Sequence, residues 1–182
     1  MAKKTIVLLA DGFEEVEAVT PIDYLRRAGV EVTTAAIGKS ASVKGARGIQ
    51  INADITLEGH DAAWDAVVLP GGMPGASNLA ASKETSALIK IMAADGKLIC
   101  AICASPAVVL FPLGLLSGKK FTCYPGLEEK VKDGVWSEHK VVIDGNIITS
   151  RGAGTAGHFA VAIIEKLLDE ETAKKIADSV LL

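Results

Sequence analysis

Three short runs of continuous hydrophobic residues most constrain what this chain can fold into. They are Thr5–Ala10, Ala66–Leu69 and Lys97–Ile102, and none of them alternates apolar with polar residues. Strands that are buried on both faces carry such runs, whereas a strand with one wet face alternates. The runs therefore predict parallel strands in the interior of a sheet.

Helical patterns separate these runs. Val16–Ala28 ends at Gly29, and Lys83–Ala94 ends just before Gly96, where glycine is the usual left-handed cap. Strands that alternate with helices form right-handed βαβ units. The sequence predicts an α/β fold, a doubly wound sandwich with a mostly parallel central sheet and helices on both faces.

The remaining segments extend this plan. In chain order we predict a strand, an exposed ribbon or turn-rich connection, a hairpin and two helices, at Val30–Ile37, Ser42–Ile51, Lys140–Thr149, Ala156–Leu168 and Glu170–Val180. A chain of 182 residues is long enough for one sizeable core and too short for two typical domains. We therefore expect a single domain over residues 1–182.

Composition excludes several classes of partner. The formal charge of −3 and the pI of about 5.6 give no basic field for phosphates, so nucleic acid is not expected. The apolar run at the N-terminus stops at Asp11, which is too early for a signal peptide. The run Pro106–Leu116 is interrupted by Pro112 and Gly114 and is too short to cross a membrane. The three cysteines lack disulfide-like spacing, which fits a reducing compartment. We predict a cytoplasmic protein with no membrane partner.

Three loops follow the predicted interior strands. In open parallel sheets ligands bind outside the carboxyl ends of the strands. There the chain places Asp11–Glu17, Pro70–Gly75 and Cys103–Pro106. These loops supply carboxylates, a glycine turn with free N–H groups, and a thiol, which together predict a reactive site.

Cys103 is the candidate nucleophile. The chain passes there from a buried strand to a helix within three residues, with Ser105 as a possible N-cap and Pro106 in the first helical turn. A thiol over a helix N-terminus is stabilised as thiolate, so we expect a pKa below the value of about 8.5 of a free thiol. The alternative is a small core residue, which is how we interpret Cys100 and Cys123.

Glu17 is the candidate general acid or base for Cys103. It lies about one turn into the first helix, and burial would raise its pKa. Alternatively, Glu14, Glu15 and Glu17 form a solvated acidic first turn that complements the helix dipole.

Backbone amides are candidate oxyanion donors. Gly71, Gly72 and Ala104 could present N–H groups to a developing negative charge, or Gly71 and Gly72 could simply form a tight turn after the strand.

A second glycine motif, residues 151–157, has the spelling G-x-G-x-x-G before a helix. No strand follows that could carry the ribose-binding acid, so a nicotinamide cofactor is not expected. We favour a helix start packed closely on its neighbour, the alternative being an anion-binding or subunit-contact loop. The three histidines, at 60, 139 and 158, show no zinc spacing. We predict neither cofactor nor metal.

Four segments, taken in order, resemble the ThiJ/PfpI superfamily, and specifically the branch that contains the human parkinsonism-associated protein. They are Glu14–Ala18, Leu69–Gly72, Ala101–Pro106 and Ser150–Thr155. The resemblance runs from the first strand to the helix after Arg151 and covers nearly the whole chain.

The resemblance implies a flavodoxin-like sandwich, a homodimer, and a nucleophile-elbow Cys103 whose thiolate accepts a hydrogen bond from a protonated Glu17. Members of this branch are described as oxidative-stress sensors with a cysteine sulfinate, as chaperones, and as cofactor-free glyoxalases or deglycases acting on methylglyoxal, glyoxal or their adducts. Possible substrate or anion contacts are Arg27, Arg47, Tyr124 and Arg151.

Two positions depart from the family pattern. Tyr124 stands where branch members often carry a histidine, which leaves Glu17 as the main proton carrier. Ala104 stands where protease-like members carry a histidine, which argues against peptidase activity. Two accounts remain open: turnover of a dicarbonyl or glycated substrate at Cys103, and redox sensing or chaperone action without turnover.

Overall fold

The computed structural model describes residues 2–58 and 63–182, so His60 lies outside the described residues. Its strands are β1 Lys4–Leu9, β2 Glu31–Ala36, β3 Ser42–Lys44, β4 Gln50–Asn52, β5 Ile55–Thr56, β6 Ala66–Leu69, β7 Leu98–Ile102, β8 Lys120–Phe121, β9 Val135–Trp136, β10 Val141–Asp144 and β11 Ile147–Ser150. Its α-helices are α1 Glu15–Arg27, α2 Gly75–Ala81, α3 Lys83–Ala94, α4 Ala156–Leu167 and α5 Glu170–Ser179.

A seven-stranded sheet in the order β10-β11-β7-β6-β1-β2-β5 forms the centre of the fold. Neighbouring strands are parallel except for the antiparallel hairpin β10–β11. The predicted fold class is confirmed. The predicted ribbon is the two-stranded sheet β3–β4, and the predicted hairpin is β10–β11.

Both faces of the sheet are covered, which explains the continuous hydrophobic runs. In β1, Val7 and Leu9 pack into a cluster with residues of α1, α4 and α5. Ile6 and Leu8 point the other way, into a cluster with residues of α2 and α3. Because successive side chains of a strand alternate between faces, every residue of the run must be apolar.

The helix ends follow the sequence closely. α3 has the predicted bounds, and Gly29 and Gly96 take the left-handed conformation after α1 and α3, with φ of 82° and 65°. The short helix α2, at Gly75–Ala81, was not predicted, because it has too few residues to show a helical period.

The segment after Cys103 corrects one local prediction. Ser105 does not cap a helix, because its hydroxyl donates a 2.6 Å hydrogen bond to the carbonyl oxygen of Pro70. The helical segment consists of a π-helical turn over Pro106–Leu110 and a 3₁₀ turn over Phe111–Leu113. Pro112 has no N–H to continue an α-helical ladder. Cys103 therefore precedes a short irregular helix, whose dipole is weak.

Within the described ranges, no helix combines the length and hydrophobicity that a membrane crossing requires.

Candidate active site

The three predicted loops converge at the carboxyl ends of the neighbouring strands β1, β6 and β7. Backbone hydrogen bonds hold them together: the N–H of Glu14 donates to the carbonyl oxygen of Gly71 at 3.0 Å. The N–H of Cys103 donates to the carbonyl oxygen of Ser150 at 2.9 Å, which adds the end of β11 to the group. The site thus stands on rigid parallel strands.

Cys103 forms a sharp corner between strand and helix. Its φ is 64°, a left-handed conformation that costs a non-glycine residue about 1–2 kcal/mol. Its side chain is partly exposed, whereas Cys100 and Cys123 are completely buried. The structure thus separates Cys103 from the two core thiols, which is the distinction that the sequence predicted.

Glu17 lies beneath this corner and is only 1% exposed. Its Oε2 accepts a 2.9 Å hydrogen bond from the N–H of Gly71, and its carboxyl group is hydrogen-bonded to the thiol of Cys103. The alternative of a solvated acidic turn is therefore wrong for Glu17.

Glu15 is also buried, and no separate role was predicted for it. Its Oε1 accepts hydrogen bonds from the N–H groups of Arg47 and Ile49, at 2.7 and 3.3 Å. Glu15 therefore ties the β3–β4 ribbon to the start of α1. No local pattern distinguishes this carboxylate from its neighbours, because its partners are more than thirty residues away in the chain.

The pKa values of Glu17 and Cys103 are both raised. Burial is the main cause for Glu17, and the charge of Glu14 adds to it, giving a pKa of about 7. Burial is again the main cause for Cys103, followed by the charge of Glu17, giving a pKa of about 12. Taken singly, the pKa of Cys103 is raised rather than lowered as predicted, because burial, followed by the charge of Glu17, outweighs the backbone amides at the helix start.

These two groups titrate as one pair. The first proton leaves near pH 7 and the second near pH 12, so between these values the pair holds one proton and one negative charge. The N–H groups of Gly72 and Ala104 lower the pKa of Cys103, because they donate to its sulfur. They stabilise the form of the singly protonated pair in which the sulfur is the thiolate, and so oppose the effects of burial and of the Glu17 charge.

The candidate oxyanion donors have different partners. Gly72 and Ala104 direct their N–H groups to the sulfur, whereas the N–H of Gly71 donates to the carboxyl group of Glu17. Gly71 is therefore not a free oxyanion donor. A Cβ atom on Gly71 would lie 2.7 Å from both the Cβ of Cys103 and Oε2 of Glu17, so only glycine fits there.

A cleft of about 660 Å³ opens above Cys103. Arg47 and Tyr124 line it, as does Glu14, whose Oε2 lies 3.7 Å from a guanidinium nitrogen of Arg47. The complete lining is Glu14, Glu17, Ala46, Arg47, Gly72, Met73, Cys103, Ala104, Tyr124, Pro125, Gly126, Leu127 and Ala153.

Two predicted contact residues lie elsewhere. Arg27 does not line the cleft, because it points along α1 and pairs with Asp23 at 2.9 Å. Arg151 lines an adjoining groove and donates a 3.1 Å hydrogen bond to the carbonyl oxygen of Glu138. Both arginines were selected by position in the chain, which does not show the direction of a long side chain.

The second glycine motif lies behind the site, and only its last glycine, at the start of α4, packs closely. A Cβ atom on Gly152 would lie 3.8 Å from Oε1 of Glu17 and 4.0 Å from the sulfur of Cys103, so the loop forms the back of the site. At the start of α4, a Cβ atom on Gly157 would lie 2.7 Å from the side chain of Leu182. Across residues 2–58 and 63–182, no cluster of three His, Cys, Asp or Glu side chains could hold a metal ion.

Comparison with known proteins agrees with this geometry. The sequence profile described as the DJ-1/PfpI family matches residues 3–166. The chain belongs to the DJ-1/PfpI family. The resemblance found in the sequence motifs is thereby confirmed.

Three relatives illustrate the similarity. Protein DJ-1 homolog B of Arabidopsis thaliana is 44% identical over 97% of this chain, which spans only 41% of that protein's length. A Caenorhabditis elegans protein named glutathione-independent glyoxalase is 36% identical over 91% of this chain and 89% of its own. The structure of oxidized DJ-1 from Toxoplasma gondii matches with a TM-score of 0.96 and 42% identity, covering 99% of this chain and 98% of that one.

Proposed function

We propose that this protein is a cofactor-free glyoxalase or deglycase that acts on methylglyoxal, glyoxal or their adducts. The observation that carries the proposal is the buried pair of Glu17 and Cys103, which shares one proton at the floor of an open cleft. The name of the C. elegans relative supports the same chemistry.

The reaction uses the shared proton. The Cys103 thiolate adds to the aldehyde carbon of methylglyoxal, and protonated Glu17 delivers a proton to the resulting oxyanion, giving a hemithioacetal. Glu17, now a carboxylate, removes the proton from that carbon and returns it to the neighbouring carbon through an enediol. The product is a lactoyl thioester, which water hydrolyses to lactate and free thiol.

Two other contacts assist these steps. The N–H groups of Gly72 and Ala104, which donate to the sulfur, stabilise negative charge as it moves from sulfur to the oxyanion. Arg47 stands at the edge of the cleft with its side chain 75% exposed, where it could hold a carboxylate of a glycated substrate.

Lactate formation tests the proposal. With methylglyoxal, the wild-type protein is expected to form lactate, and Cys103→Ser is expected to reduce the rate to the background. The variant keeps Cys100 and Cys123, so it controls for dicarbonyl reactions with other thiols. Equal lactate from the two proteins would contradict the proposal.

The partial exposure of Cys103 also supports a second role, in which the protein senses oxidants or acts as a redox-regulated chaperone without turnover. Two equivalents of peroxide convert the thiolate to a sulfinate, and each peroxide is reduced to water. Protonated Glu17 and the amides of Gly72 and Ala104 would then donate hydrogen bonds to the sulfinate oxygens.

Graded peroxide treatment followed by mass spectrometry checks this role. Cys103 is expected to gain two oxygen atoms well before Cys100 and Cys123, because those two side chains are completely buried. Simultaneous oxidation of the three cysteines would contradict it.

We also propose that the protein is a homodimer. Val16 and Val19 lie one turn apart on α1 and are exposed, and so is Ile49 in the ribbon that Glu15 ties to the same helix. Together they form an apolar face of the kind that subunits bury. Sedimentation analysis is expected to show a dimer, and Val19→Asp is expected to shift it towards monomer.

A further inference from the structure

Large exposed hydrophobic side chains flank the opening above Cys103. Met73 is 58% exposed on the loop after β6, and Tyr124 is 54% exposed on the segment after β8, and both line the cleft. Pro125 and Leu127 continue the same edge. We call Met73, Tyr124, Pro125 and Leu127 the apolar rim.

Apart from Arg47 at the edge of the cleft, the polar groups lie deeper than this rim. Glu17 is buried and Cys103 half-buried, and the amides that donate to the sulfur belong to the loops beneath. When the sulfur bonds to a carbonyl carbon, the substituent on that carbon must extend outwards, past Met73 and Tyr124. The rim therefore contacts the part of an electrophile that does not react.

Tyr124 is held in place for such a contact. Its N–H donates a 2.8 Å hydrogen bond to the carbonyl oxygen of Cys103, and its ring lies against the backbone of Gly152, where a Cβ atom would be 3.6 Å away. A fixed aromatic ring and a flexible thioether form favourable contacts with another aromatic ring. A histidine at position 124 would offer a smaller and more polar surface.

The size of the cleft also favours a substrate with a substituent larger than a methyl group. Its volume of about 660 Å³ falls within the range of about 300–1,000 Å³ typical of pockets for drug-sized ligands. The single methyl group of methylglyoxal fills a small part of this space and leaves the rim in water.

We propose that the rim makes this site selective for electrophilic carbonyl compounds that carry an aromatic or bulky apolar substituent. For 2-oxoaldehydes as substrates, this inference rests on the proposed function. The selectivity itself is a property of the site and applies to any carbonyl compound that reacts with Cys103.

Alkylation rates test the selectivity without requiring turnover. Phenacyl bromide and bromoacetone both form a sulfur–carbon bond to Cys103 and release bromide, and they differ only in a phenyl or a methyl group. Mass spectrometry measures each rate, which is divided by the rate of the same reagent with free cysteine. We expect a normalised preference of about tenfold for phenacyl bromide, because its phenyl ring contacts both the ring of Tyr124 and the thioether of Met73.

Variants locate this preference in the rim. Met73→Ala and Tyr124→Ala are each expected to reduce it about threefold. Val135→Ala is the matched control and should keep it, because Val135 is 54% exposed on β9 and does not line the cleft. Equal normalised rates for the two reagents in wild type, or an equal loss in the control, would overturn the inference.

Steady-state kinetics separate this inference from the proposed function. If phenylglyoxal has a higher kcat/KM than methylglyoxal, and Tyr124→Ala removes the difference through KM, both stand. Turnover of methylglyoxal without an alkylation preference would overturn the inference about the rim and leave the proposed function standing. A clear alkylation preference without turnover of either dicarbonyl overturns the proposed function alone.

Discussion

Replacing Gly71 with alanine is expected to destabilise the protein by about 3 kcal/mol and to abolish its activity. The new methyl group would lie 2.7 Å from the Cβ of Cys103 and 2.9 Å from the carbonyl oxygen of Ile102; the second is a backbone atom, and the backbone fixes the position of the first. Overpacking of this kind costs about 1–3 kcal/mol. Displacing Glu17 also leaves the buried N–H of Gly71 without its partner, which adds a similar amount.

Thermal unfolding measures this effect. For a chain of this size, about 3 kcal/mol corresponds to a decrease in Tm of roughly 6–12 °C. Gly38→Ala is the matched control, since a Cβ atom there meets nothing within 4 Å, and its Tm should change little. A Gly71→Ala protein with the Tm and activity of wild type would show that the close approach of these loops is unimportant.

Replacing Glu17 with glutamine is expected to stabilise the fold at alkaline pH while it removes activity. The first proton leaves the pair of Glu17 and Cys103 near pH 7, above the ordinary glutamate pKa of 4.5, so the folded state prefers the fully protonated pair. Its contribution to the free energy of unfolding is fully present below about pH 4.5 and is lost as the pH rises through about 7. Glutamine mimics the protonated acid and does not ionise, so the variant keeps this stability.

The difference in unfolding free energy at pH 8 is expected to reach about 3 kcal/mol in favour of the variant. It should vanish at pH 4, where both proteins are uncharged at this position. Denaturant unfolding at the two pH values checks the result, with Glu129→Gln as control because Glu129 is exposed. A variant that is less stable than wild type at pH 8 would contradict the raised pKa.

The activity of Glu17→Gln should fall, whereas its stability at pH 8 should rise. Glutamine can donate a hydrogen bond to the sulfur but cannot carry a proton between two carbon atoms. Loss of a positioned general acid and base reduces rates by roughly 10²–10⁴-fold. Glu17→Gln is therefore expected to lose lactate formation by about that factor, with a fold that is intact or more stable.

The fold could be predicted because its signals are local. A strand such as β6, Ala66–Leu69, is apolar at every position, since its neighbours cover both faces. The glycines after α1 and α3 mark the ends of those helices for a steric reason. The short strands β8 and β9 were not predicted, since two-residue elements depend on partners far away in the chain.

The site could be predicted in part. The turn at Cys103 is visible in the sequence because strand, corner and helix are consecutive, and the strand order then places Glu17 beside it. The division of the proton between Glu17 and Cys103 could not be predicted, because a sequence does not show how burial and a carboxylate, which raise the pKa of Cys103, balance against two amides, which lower it. The distant contacts of Glu15 and the direction of the Arg27 side chain could not be predicted either, because both depend on tertiary structure.

The central claim is that, when the pair holds a single proton, Glu17 carries it and Cys103 carries the negative charge. Ultraviolet absorbance of the thiolate, measured against pH in wild type and in Cys103→Ser, tests this claim directly. Cys100 and Cys123 do not interfere near neutral pH, because burial raises the pKa of both thiols, that of Cys123 to about 12. The account predicts that the absorbance of one thiolate appears with a midpoint near pH 7 and is absent from the variant. Absorbance that appears only near pH 12, after the carboxylate of Glu17 has formed, would contradict it.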